Sequence, residues 1–454
     1  MKIEKQISRR KFIGLAGLAT AGAVAAACAP AVTNTPAAPA APTTAAAAPA
    51  AAATIAAPTV LSPKTVKVGI LAVNAKEFQD IIAQTGFTKQ TGITVEIVNR
   101  TDTKETELAR LASAFQAGTS PYDLIDFEDE LTTSFSRAGY MLGLDDLIPA
   151  EVWSDFSPAM MDYTKVWSAY NGETFRIIHN WEMPYWWYRK DWFDAKNVPV
   201  PQTWEDVAGL GKAFTDTSKN VWATEDGLLK GAFLNVYLAW VTLQAGGNPF
   251  DVGDTYKTAL QYIYDLMYTD NVLNPASLQK DYNQENADYI ADKVAFMRQW
   301  PFVYDVVRSA DNKAWFTSED KLAFALPPVG PGGKGGSTYT AAWGFGIVKT
   351  APNKEEAMEL MKFLFSNDVA PVAAKLSYWF VNARKSVLAA IPDTGIAHQM
   401  KVYTDAGVIG VRPFHPRFVE ALTILEDTAS AYLTKQVTID VSMKQAKDQL
   451  AALS

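Results

Sequence analysis

An Ala, Pro and Thr tract from Ala29 to Pro63 divides the chain, because such a composition cannot bury enough apolar surface to offset the entropy lost on ordering. Folding therefore falls to residues 64–454. At about 150 residues per domain, that length predicts two lobes or more. The segment carries 36 basic and 48 acidic residues, a net of −12, with no run of Lys and Arg. A nucleic-acid surface needs a clustered basic footprint, so the composition argues against that partner.

Ahead of the tract, Ser8-Arg9-Arg10-Lys11-Phe12-Ile13 has the form of a twin-arginine export signal, and Ile13 to Ala27 is uncharged and rich in Ala and Gly. That stretch is too short to span a bilayer core of about 30 Å as a helix, and its flanks read as a signal peptide. Ala25-Ala26-Ala27-Cys28 resembles a bacterial lipobox, with Ala25 where Leu is usual. Cys28 is the only cysteine, which rules out an intramolecular disulfide and a Cys-rich zinc site. The reading is a signal peptide over 1–28, a lipid anchor on Cys28 and a tether over 29–63. It places the folded part, anchored by acyl chains, at the extracytoplasmic face of the cell membrane. The bland alternative for Cys28 is a small residue in an apolar stretch.

In the folded part, strands are expected at 66–71, 93–98 and 123–127. Leu108, Leu111, Ala112 and Phe115 fall at i, i+3, i+4 and i+7, one face of a helix. Thr203 with Asp206, and Asn353 with Glu356, read as capping boxes; the second precedes the apolar face Ala357, Leu360, Met361 and Leu364. Phe418, Ala421, Leu422 and Leu425 repeat the spacing near the end. Strands alternating with helices predict an α/β fold with a parallel sheet covered on both faces.

A series of short motifs then occurs in one order: Thr91-Gly92-Ile93-Thr94-Val95; Pro121-Tyr122-Asp123-Leu124-Ile125; Trp187 to Phe193 followed by Pro201-Gln202-Thr203-Trp204-Glu205; and Gln244 to Phe250. Ala295 to Pro301, Leu326 to Gly333, Trp343 to Ile347 and Ala383 to Val387 continue it. Together they resemble the extracellular solute-binding proteins of the maltose-binding type, family 1, over residues 64–454. The resemblance implies a two-lobed periplasmic-binding-protein fold (class II) with discontinuous lobes joined by hinge segments: 64–178 with 338–376, and 179–337 with 377–454. It also implies a monomer that carries a sugar to the membrane permease pair of an ABC importer, with a cytosolic ATPase behind it, and that needs no cofactor and no metal.

Ligands of open α/β sheets bind beyond the carboxyl ends of strands, here the loops near Asn74, Asp126 to Glu130, Trp181, Trp300 and Trp343. A pyranose has apolar C–H faces and a rim of hydroxyls, so its cleft needs flat rings together with carboxylates or amides. The candidates of this kind are Asn74, Asp126, Phe127, Glu128, Glu130, Trp181, Glu182, Trp300, Trp343, Trp379 and Arg412. The resemblance gives Phe127 a ring position on the first-lobe strand end, Glu130 a sugar-binding carboxylate and Trp300 a stacking position. It puts Arg412 in a late loop facing the cleft, where it could equally pin a hinge. Each has a plainer reading: Asn74 as a turn residue, Asp126 and Glu128 as capping or solvated groups, Glu182 as a loop charge, and any single Trp as packing.

Two rival readings remain. A polyamine or peptide would suit acidic loops with Trp boxes through cation–π contact. A secreted glycoside hydrolase would need a carboxylate pair, but there is no G-x-S-x-G elbow and no H-E-x-x-H, and His179, His398 and His415 are dispersed. The expectation is therefore a binding protein, not an enzyme.

Overall fold

The computed structural model describes residues 64–453 apart from 101–103, 232 and 334–336. The export signal, Cys28 and the tether read from the sequence lie outside the described residues. Among the described residues no helix is long and apolar enough to cross a membrane.

Strands appear in the order β1 (Thr65–Leu71), β2 (Thr94–Arg100), β3 (Leu124–Glu128), β4 (Ala169–Tyr170), β5 (Glu173–Thr174), β6 (Ile177–Ile178) and β7 (Tyr185–Tyr188). They continue with β8 (Trp222–Thr224), β9 (Val294–Gln299), β10 (Ala323–Ala325), β11 (Thr338–Thr340), β12 (Trp343–Ile347) and β13 (Ile409–Val411). One sheet has the order β2-β1-β3-β12-β6 and a second has β10-β7-β9-β8. One apolar core takes residues from both sheets, among them Val68 and Phe345 of the first and Trp187 and Met297 of the second; a further core lies against the second sheet at Trp186 and Phe296, and a smaller one against the first at Ile125 and Phe127.

The first three strands run parallel, as the alternation of strand and helix requires, but β12 is antiparallel to β3. The sheet is therefore mixed. The chain leaves the first sheet after β6 and returns only at β12, so that strand enters from the opposite end. The same excursion builds the second sheet.

Three segments run between the sheets, and they are bonded side by side. Glu182 exchanges backbone hydrogen bonds with Ala341, N to O at 3.1 and 2.9 Å, while β11 pairs with β13 in parallel. Thr338 Oγ1 donates to the Pro184 carbonyl at 3.0 Å, and Trp181 N donates to Val381 O at 2.9 Å. Residues 377–384, expected with the second lobe, pack instead on the first sheet's side. Trp379 and Phe380 lie against Phe78 and His179, and Arg384 bonds Asp155, Phe365 O and Asn367. The crossing falls after Arg384, because Tyr403 already meets the second sheet through Trp186 N and Ala325 O.

Local signals hold where the chemistry is local. Thr203 and Asp206 form the capping box of the helix Trp204–Phe214. Ala357, Leu360, Met361 and Leu364 are all buried in the helix Lys354–Leu364. At that helix start, however, Asn353 makes no side-chain cap: its backbone N and its Nδ2 both donate to Asp123, at 3.1 Å each, while Glu356 pairs with Lys64. A buried carboxylate outcompetes the local box.

Gly211 supplies a stability test. A Cβ there would lie 2.2 Å from the Asp270 carbonyl oxygen and 2.9 Å from that of Asn271. Alanine gains up to about 1 kcal/mol of helix propensity over glycine, whereas overpacking against backbone costs about 1–3 kcal/mol. Gly211→Ala is expected to lower the thermal unfolding midpoint despite the better helix former; an unchanged or raised midpoint would contradict the packing.

Candidate functional site

The floor of the region between the sheets is built where β3 ends and the crossing segments begin. Asp126, on β3, is fully buried and its Oδ1 lies 2.7 Å from His179 Nε2. His179 Nδ1 lies 3.0 Å from the Trp379 carbonyl, which can only accept, so Nδ1 carries a hydrogen. One imidazole thus joins β3, the first crossing segment and the stretch 377–384 that leads into the third. The next residues, Asn180 and Trp181, are buried too.

Several polar atoms of this floor meet no hydrogen-bond partner among the described residues: Asp126 Oδ2, both side-chain atoms of Asn180, and the indole nitrogens of Trp181 and Trp379. Buried polar groups are nearly always paired, so such a grouping of donors and acceptors asks for a polar occupant. The half-buried Glu182 accepts from Trp343 Nε1 at 3.2 Å. Burial pushes its carboxyl up to about 8, with the Asp129 and Asp126 charges adding to the rise and the Trp343 hydrogen bond opposing it.

A second focus adjoins the first. Arg412 Nη1 donates to Asp129 Oδ1 at 2.7 Å and its Nη2 to Glu130, while the Tyr163 hydroxyl donates to Asp129 Oδ2 at 2.6 Å. Tyr339, on β11, lies beside this group: the Arg412 guanidinium is 5.8 Å from its ring, and Trp300 meets it edge-on at 6.2 Å. Burial pushes the Tyr339 hydroxyl up to about 12, with Arg412 and Arg298 opposing and Asp129 and Asp226 adding to the rise. On the second sheet's side, Arg298 forks onto Asp226 at 2.8 and 2.6 Å, and Glu285 Oε2 accepts from Gly227 N at 3.0 Å. Arg298 Nη1, Glu285 Oε1 and the Tyr339 hydroxyl have no hydrogen-bond partner among the described residues.

The expected residues divide accordingly. Asp126 and Trp379 meet His179, whose backbone N donates to the Trp343 carbonyl; Glu182 joins through Trp343, Trp181 is bonded to Val381, and Glu130 meets Arg412. Glu128 is tied to them through Arg100, which bonds it at 2.8 Å and lies 5.4 Å from the Trp343 ring. Trp300 stands across from them on the end of β9 and joins through Tyr339. Phe127 is a correction: adjacent strand residues face opposite ways, so Asp126 sends Phe127 into a core with Phe135, 5.2 Å away, and Tyr122. Asn74 differs as well, since Leu71 leads straight into the helix Ala72–Thr85 and no loop intervenes. His179, Asn180, Asp129, Tyr339, Arg298, Asp226 and Glu285 join the site from outside the set of ligand candidates that the sequence offers. Of these only Asp129, inside the acidic run Asp126 to Glu130, and Arg298, two residues before Trp300, left a signal.

Residues 71–371 match the family model described as bacterial extracellular solute-binding protein. A Deinococcus radiodurans protein described as a probable ABC transporter-binding protein is 24% identical over 386 residues, covering 80% of this chain and 88% of its own. The maltose-bound MalE3 of T. maritima superposes with a TM-score of 0.72 at 20% identity, over 86% of this chain and 100% of its own. A Thermotoga lettingae solute-binding protein bound with α-D-tagatose gives 0.72 at 19% identity, over 85% and 98%. An Agrobacterium radiobacter solute-binding protein in complex with ribitol gives 0.69 at 20% identity, over 87% and 100%. With a family model matched over residues 71–371 of a two-lobed α/β fold, this chain belongs to the bacterial extracellular solute-binding proteins.

Proposed function

We propose that the protein captures a neutral sugar or polyol between its lobes, closes on it by bending at the three crossing segments, and delivers it to a membrane permease without breaking any bond. The observation that carries this reading is the mixed set of unpartnered donors and acceptors at Asp126, Asn180, Trp181 and Trp379. A hydroxyl both donates and accepts, so a polyhydroxy compound can satisfy such a set where a purely cationic or anionic solute cannot. Trp300 and Trp343 offer faces for the C–H side of a ring. Maltose, tagatose and ribitol, named with the structural neighbours, are of the same chemical kind. The lobes on this reading are 64–178 with 338–384, and 179–337 with 385–454, the third crossing being moved past Arg384. Lipid attachment at Cys28 and a tether over 29–63 keep the lobes near the permease.

A cationic solute is the second reading, favoured by the number of carboxylates at the floor. Glu182 weakens it, because a carboxyl titrating near 8 is mostly neutral at pH 7.

A thermal-shift screen separates the two. A solute at a hundred times its Kd stabilises the native state by about 2.7 kcal/mol. The expected result is a shift with one or more neutral sugars or polyols, recovered unchanged afterwards, and none with spermidine or dipeptides. Trp300→Ala is expected to abolish that shift while the protein stays folded; full affinity in this variant would remove Trp300 from the site. A shift with spermidine alone would replace the sugar reading by the second one, and turnover of the bound sugar would replace it by an enzyme.

A further inference from the structure

Asp129 and Glu130 stand at the position where a carboxylate for cargo was expected, yet in this fold they already have a partner. They follow β3 on the first sheet's side and are buried at 2% and 7% exposure. Arg412 follows β13 in the third crossing segment, and a few residues later the helix Phe418–Leu433 packs on the second sheet's helices. Its guanidinium therefore reaches from the root of one lobe into the strand end of the other. Four further contacts fix it there. The Arg412 carbonyl accepts from Trp167 Nε1 at 3.1 Å, and the guanidinium lies 5.0, 5.5 and 5.8 Å from the rings of Phe418, Trp167 and Tyr339.

A planar guanidinium across two carboxylates is the arrangement that a hydroxyl-bearing cargo would have to displace or share. We propose that Arg412 is an internal stand-in for cargo: it clasps Asp129 and Glu130 so that the lobes are held partly together before cargo arrives, short of the closure that cargo brings, and cargo must exchange with it. This deepens the binding reading given above, on which it rests for the place of the cargo. Its energetic basis is separate. Two adjacent buried carboxylates deprived of their guanidinium cannot stay dry, and the way to hydrate them is to part the crossing segments. Charge removal, not loss of shape, should therefore open the protein.

The test needs no cargo, so a failed search for a sugar leaves it standing and its own failure leaves the transport reading standing. Small-angle scattering and amide exchange are measured on the full chain without added solute. Arg412→Met is expected to raise the radius of gyration and to speed exchange at residues 338–340 and 409–411 by roughly two to four orders of magnitude, the size implied by losing half of a buried ion pair. The triple variant Arg412→Met, Asp129→Asn, Glu130→Gln, which has no charge left to hydrate, is expected to return both values towards wild type. Wild-type scattering and exchange in Arg412→Met would overturn the clasp. So would a triple variant as open as the single one, which would mean that shape was at stake. Should circular dichroism show Arg412→Met unfolded, Arg412→Lys keeps the charge and loses the fork: intermediate exchange is expected, and wild-type exchange overturns the proposal.

Discussion

Replacing Arg298 by methionine is expected to lower stability to urea by about 3–5 kcal/mol, the cost of stripping one partner from a buried ion pair. Arg298 lies on β9 with its side chain 1% exposed, its fork satisfied by Asp226 and its guanidinium 5.2 Å from the Phe233 ring. Without it the Asp226 carboxylate remains buried among Glu285 and Tyr237 with nothing to balance it. The exposed pair Lys444–Asp448 is the contrast, since Lys444→Met should change stability by no more than about 0.5 kcal/mol. A shift in the urea midpoint at constant slope would measure both. Equal, small effects would show that Arg298 is far better hydrated than its burial implies.

The second large effect is on pH. In the folded protein the Glu182 carboxyl is pushed up to about 8, whereas an unfolded glutamate titrates near its ordinary value of 4.5. The folded state therefore holds a proton that the unfolded state has released. The stability this contributes is complete below about pH 4.5 and is lost as pH rises to about 8, at about 1.4 kcal/mol per unit across the window. Glu182→Gln cannot ionise and should not share that loss. Between pH 5 and 8 the variant is expected to gain on the wild type steadily, so that the two stability curves diverge. Parallel curves would show that Glu182 reaches water in the native state.

Much of this fold can be read in the chain because its signals are local. The strand at 124–128 follows Pro121 and carries Leu124, Ile125 and Phe127, and the capping box at Thr203 and the buried stripe from Ala357 to Leu364 depend only on neighbours a few residues apart. The site is less legible because it is made of distant pieces. Asp126 was foreseen as a polar strand-end residue, but its partner His179 lies 53 positions away, and nothing in the residues around His179 marks it as the junction of three segments. Arg412 and Glu130 were both expected at a cleft; that they would face each other across 282 positions is a fact of topology alone. Phe127 failed for a smaller reason. Once Asp126 faces inward on a strand, its neighbour must face the other way, and the motif match carried no information on that phase.

The crossing strands also tie the floor to the lobe motion proposed above. Glu182 is hydrogen-bonded through its backbone to Ala341 and through its side chain to Trp343, so on the proposed reading a contact with cargo there would fall on a segment that runs between the sheets. Contacts made only when the lobes are together shift an open–closed equilibrium by their differential free energy.

Scattering with and without a saturating sugar or polyol from the screen, on the wild type and on Asp126→Asn, tests the central claim most directly. The account predicts a smaller radius of gyration on saturation of the wild type, with weaker binding in the variant. Saturable binding that leaves the wild-type radius of gyration unchanged would contradict it.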